Sequence, residues 1–220
     1  MYKLVFLICY SSILLSTIVG LATYKRLNVA MRFIVMMLAV TSVSELCCYV
    51  AVSTGRYADR PCIYHVYNII QAFLISGYFI YAVKPVQKNR ILLYSGIFWV
   101  AAGLGNLLFL QPLRSLNSNM LVLESFVFIT AALYFIYRTL KNDGIENMFR
   151  YPQFQMSMVL LIYWSSNMFF WAFVKILYND HWRYIGVLMT VQEVIEVLSY
   201  LAIGAVLLYS GRKTQQYEEH

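Results

Sequence analysis

Glu193 and Glu196 stand three residues apart in TVQEVIEVLSYLAIGAVLLY, residues 190–209, a stretch apolar enough to cross a bilayer. That spacing sets both carboxylates on nearly one helical face. A carboxylate in hydrocarbon costs at least a few kcal/mol, and two together repel, so such a pair calls for a chemical reason. It could share a proton, bind a cation, or pair with Lys175 or His65. Two more glutamates sit in equally apolar surroundings, Glu45 in TSVSELCCYV and Glu124 in NMLVLESFVF. His65, Asn68 and Gln71 follow one another in HVYNIIQ, and Asn106 and Asn167 interrupt further apolar runs. Ionisable groups inside a membrane face a bundle interior or a water-filled cavity, which makes Glu45, His65, Gln71, Glu124, Asn167, Glu193 and Glu196 the candidate ligand-binding set.

Glu45, His65, Glu124, Glu193 and Glu196 carry the donor types that suit zinc, iron or manganese. Helical-bundle metal centres use Glu-x-x-His pairs, however, and no glutamate here is followed by histidine at that spacing. Each polar residue also has a plainer reading. Glu193 and Glu196 could hydrogen-bond to neighbouring helices, and Glu45 and Glu124 could do the same. His65 could be a satisfied interfacial histidine, and Lys175 has the reach to snorkel outward. Asn106, Asn117, Asn119 and Asn167 are residue types that cap or bridge helices. The aromatic runs YWSSNMFFWAF and YHVYNIIQAF read first as packing.

The elements that must position these groups follow from composition. The chain has 220 residues, 61% hydrophobic and 12% charged, against a quarter charged in ordinary soluble domains. Seven segments reach the length of about 20 residues that a span needs. They run roughly 3–23, 30–53, 62–83, 91–111, 117–140, 155–178 and 184–209, giving an all-α, seven-transmembrane-helix bundle over residues 1–211 with a tail at 212–220. The apolar run at the start continues to Tyr24 without a small-residue cleavage site, which reads as a span rather than a signal peptide. The net charge of +7 falls between spans, where it sets topology rather than attracting nucleic acid. Eleven Lys and Arg flank one side and six the other, which predicts an outside N-terminus and a cytoplasmic C-terminus. In that frame the polar residues of spans two to seven fall in the outer half or the middle, and the inner halves are almost purely apolar. The prediction is one acidic cavity, open outside and closed below.

Several classes are excluded. A retinal protein needs a Schiff-base lysine in its last helix, and span seven has none. Only His65, His181 and His220 are present, too few for the three-histidine zinc site of seven-span lipid hydrolases. No nucleophile elbow, phosphate loop or dinucleotide fingerprint appears, so no catalytic motif is found. Cys9, Cys47, Cys48 and Cys62 lack metal or redox spacing and read as small hydrophobes.

The blocks SELCCYV, YHVYNIIQAFLI, GNLLFLQPLRSLNSNMLVLESFVFITAALYF and YWSSNMFFWAF resemble a family of small, uncharacterised seven-span proteins of Bacteroidetes-type bacteria. The likeness covers spans two to seven and matches Glu45, His65, Tyr67, Asn117, Glu124 and Asn167; at Gln71 the family pattern favours Glu, which weighs against a fixed acidic metal cluster. It implies a bacterial inner-membrane location and a sensing or accessory role beside a partner such as a histidine kinase. The expectation is therefore a sensor or accessory protein that binds a small ligand or cation and acts through a partner, with homo-oligomers open to it. A membrane-embedded lipid hydrolase, metal-dependent or not, an ion-coupled transporter or channel subunit, and a scaffold held by its glutamates are the alternatives.

Overall fold

The computed structural model describes residues 2–83, 87–113, 115, 117–141, 148–177 and 182–218, with side chains left out at 2–6, 175–177, 182–185 and 214–218. Lys84, Arg114 and His181, and the side chains of Lys3, Lys175 and Arg183, thus lie outside what is described. Seven helices follow in order: α1 (Tyr2–Thr23), α2 (Val29–Ser53), α3 (Arg60–Val83), α4 (Lys88–Gly105), α5 (Ser118–Leu140), α6 (Pro152–Leu177) and α7 (Trp182–Glu218). All seven are long and apolar enough to cross a membrane. The protein is an all-α, seven-helix, multi-pass membrane bundle.

Local chemistry sets the helix ends. Asn28 starts α2 by accepting the Met31 amide on its side chain at 3.0 Å. Gly55, at φ 77°, turns the chain after α2, a conformation that glycine adopts without strain. Pro152 opens α6 at the position where its missing N–H is not needed. The final turn of α4 widens into a π-helical segment, Asn106–Leu110, in which the Gln111 amide reaches the Asn106 carbonyl at 2.7 Å. The residues read as a tail at 212–220 continue α7 without a break as far as Glu218.

Six helices close a ring in the order α1, α2, α3, α5, α6, α7 and back to α1, while α4 leans on α3 from outside. In lipid, helices associate through close packing of small residues and through interhelical hydrogen bonds rather than through the hydrophobic effect. The α1–α7 seam shows both. Gly204 and Gly211 of α7 meet Ser16 and Thr23 of α1, each pair seven residues apart, and Ser16 donates to the Tyr200 carbonyl at 2.6 Å. The first face of the bundle is where α1, α3, α5 and α7 begin; the second face is where they end. Midway toward the second face, Phe128 of α5 stacks against Trp164 of α6 at 5.0 Å, Trp99 of α4 at 5.5 Å and Phe79 of α3 at 6.5 Å between ring centroids. Polar groups reach this aromatic floor in the Trp99 indole bond to Ser76 at 2.8 Å, in the Trp164 indole nitrogen, which has no partner among the described residues, and in Tyr78, which bonds Ser157 and the Gln153 carbonyl.

Candidate functional site

On the first-face side of the aromatic floor, four ring helices each carry two polar residues four positions apart: Thr41 and Glu45 on α2, Tyr67 and Gln71 on α3, Tyr163 and Asn167 on α6, and Glu196 and Tyr200 on α7. Spacing of four keeps each pair on one helical face, and the ring turns those faces inward. Thr41 and Tyr67 share a hydrogen bond of 3.0 Å. The Tyr163 and Tyr200 hydroxyls meet at 3.4 Å, and the Asn167 amide donates to the Tyr163 carbonyl at 3.0 Å. The Tyr163 hydroxyl is also within reach of the Gln71 and Asn167 side chains, and Tyr67 interacts electrostatically with both Tyr163 and Tyr200. The result is a continuous polar layer made by α2, α3, α6 and α7.

The acidic residues divide between two places. Glu196 accepts from the Gln192 amide at 3.2 Å and interacts with Glu45, Glu193, Tyr163 and Tyr200. Cys9 of α1 lies near Glu45, Glu193 and Glu196, and its thiol points at the Glu193 carbonyl at 3.8 Å. Glu45 accepts from the Tyr64 hydroxyl at 3.0 Å, with Arg60 close to both. These three glutamates are half-buried. Glu124 stands apart on α5 at 0% exposure, with neither carboxyl oxygen hydrogen-bonded. Tyr67 is within electrostatic range of Glu45 and of Glu124.

The four glutamates expected in one cavity are therefore divided, with Glu124 apart from the other three. The reason is rotational. Glu45, Glu193 and Glu196 belong to the α2 and α7 sides of the ring, and Glu124 projects from α5 across it. His65 is buried, and its Nε2 makes no hydrogen bond, so it does not pair with the Glu193–Glu196 couple through that atom. The alternative partner, Lys175, has its side chain outside the described residues. Among the described residues no three His, Cys, Asp or Glu side chains gather as metal donors, and all four cysteines are free thiols.

The asparagines near the first face serve the chain itself. Asn106 donates to the Asn117 side chain at 2.7 Å, and Gln111 bonds Ser118 at 2.9 Å and the Asn119 amide at 3.2 Å. These bonds tie the QPLRSLNS turn to the start of α5. Tyr163 and Tyr200 are the members of the layer that the residue types alone pass over, because tyrosine inside an apolar run reads as packing. A signal was present: each stands four residues from an amide or acid, as Tyr67 does from Gln71.

Fold and layer together define a class, the all-helical, multi-pass membrane protein with a buried tyrosine-rich polar layer above an aromatic floor. Beyond that class, no family model, no characterised protein and no solved structure matches the chain.

Proposed function

We propose that this protein is a membrane sensor or accessory protein whose polar layer binds a small ligand or cation and passes the event to a partner through helix movement. The observation that carries this reading is Glu124, a fully buried carboxyl with both oxygens unpartnered. A buried polar group without partners costs about 1–3 kcal/mol, and more when charged, so a chain that holds one calls for a reason beyond folding. A charge change at Glu124 would act on Tyr67, which is hydrogen-bonded to Thr41 of α2, and through it on the layer. The aromatic floor below offers ions no evident route onward, which favours sensing over transport.

In this proposal the first face is outside, the second face is cytoplasmic, and the membrane is a bacterial inner membrane. A signalling partner such as a histidine kinase would dock on the basic second-face loops at 84–90 and 141–150. Thermal stability of purified wild type and of Glu124→Gln, Glu193→Gln and Glu196→Gln across a cation series and across pH tests the reading. The expected result is a cation- or pH-dependent rise in melting temperature that Glu124→Gln abolishes. Flat responses in wild type, with melting temperatures merely shifted in the variants, would make the glutamates interhelical struts.

A further inference from the structure

Outside the ring, α4 and Phe73 of α3 line a lateral groove of about 690 Å³. Phe73 and Gly96 meet along it, and Leu93, Ile97, Val100 and Leu104 form one exposed apolar stripe of α4 beside it. Asn89 closes the groove at its second-face end. From Asn89 to Leu104 it runs fifteen residues, or about 22 Å of helix, more than the roughly 15 Å depth of one leaflet's hydrocarbon. Its length and almost wholly apolar lining match a lipid acyl chain.

Its second-face end is basic. Lys88 lies over the Tyr81 ring at 5.2 Å, and the Tyr81 hydroxyl donates to Asn89 at 3.2 Å, which holds an ammonium beside the groove mouth. Arg90 follows in the same turn, and the first turn of α4 has no acidic residue. We infer that this groove is a binding site for an anionic phospholipid, with one acyl chain lying along α4 beside Phe73 and the phosphate at Lys88, Asn89 and Arg90. The apolar lining selects the chain, and the two cations select the charge of the headgroup. This site shares no residue with the polar layer, so it stands or falls separately from the sensing role.

The test measures retention of phosphatidylglycerol and phosphatidylcholine by detergent-purified protein, using native mass spectrometry and thermal stability in mixed micelles. A basic residue at the membrane surface is worth about fivefold in affinity for an anionic headgroup. Wild type should therefore prefer phosphatidylglycerol by about thirtyfold, and Lys88→Gln with Arg90→Gln should remove the preference while leaving the helix content unchanged. Gly96→Leu, which fills the groove against Phe73, should weaken both lipids together. Equal retention of the two lipids by wild type would overturn the inference. So would unaltered binding in both variants, or a self-association lost in Gly96→Leu, which would identify a second copy of the chain as the occupant.

Discussion

At the scale of the residue, the layer sets satisfied hydroxyls beside unsatisfied acid. Thr41, Tyr67, Tyr163 and Tyr200 find partners on neighbouring helices, whereas Glu124 finds none. This contrast predicts opposite outcomes for two substitutions. Glu124→Met removes a buried unpartnered carboxyl and keeps the volume, so it should raise stability by about 1–3 kcal/mol in the absence of ligand. A melting curve shifted downward instead would mean that the carboxyl supports the fold. Tyr67→Phe removes one interhelical bond, and such bonds average about 0.6 kcal/mol in membrane helices. Its stability should hardly move, while any cation response should weaken, because Tyr67 is within electrostatic range of both Glu45 and Glu124. A stability loss several times larger would make Tyr67 a strut of the bundle.

At the scale of the element, two contacts decide the architecture. The α1–α7 seam closes the ring, and it is dense: a Cβ on Gly204 would lie 2.7 Å from the Ser16 hydroxyl and 3.3 Å from its Cα. Backbone cannot move aside as a side chain does, so Gly204→Val should destabilise by about 1–3 kcal/mol, read as a lower melting temperature in detergent. An unchanged melting temperature would show that α1 and α7 separate freely. The second contact is α2 on α3, where the Phe33 ring covers Gly77 so closely that an added Cβ would lie 2.5 Å from it. Helix α4 differs from the rest. It makes most of its contacts with α3, and its π-helical end brings Asn106 back toward α5. Asn106→Leu should therefore loosen the α4–α5 turn and leave the polar layer intact, which protease access at residues 111–118 would report.

At the scale of the whole molecule, the outstanding property is orientation. Charge bias predicts that the turn after α2 is outside and the turn after α5 is cytoplasmic. In a background without native cysteines, Thr54→Cys should react with a membrane-impermeant maleimide in intact cells, and Lys141→Cys should react only after lysis. The reverse pattern would invert the molecule and turn the polar layer toward the cytoplasm. It would leave the bundle itself unchanged, since ring order does not depend on which side is out.

The number of helices and nearly all their bounds were legible in the sequence, because a bilayer demands about 20 apolar residues per span and allows no other backbone solution than helices or closed barrels. The ends set by Asn28, Gly55 and Pro152 came from the structure. The depth of each polar residue followed from counting, which is why Glu45, Gln71, Asn167 and Glu196 all fall near one level. Which of them meet was decided only in three dimensions. Ring order and helix rotation bring Glu45 beside Glu196, set Glu124 across the bundle, and turn Tyr163 and Tyr200 from apparent packing into the hydroxyls of the layer. Those rotations come from contacts between helices such as Gly204 of α7 on Ser16 of α1 and Gly77 of α3 under Phe33 of α2. A linear pattern carries depth along each helix, but not the angle at which one helix faces another.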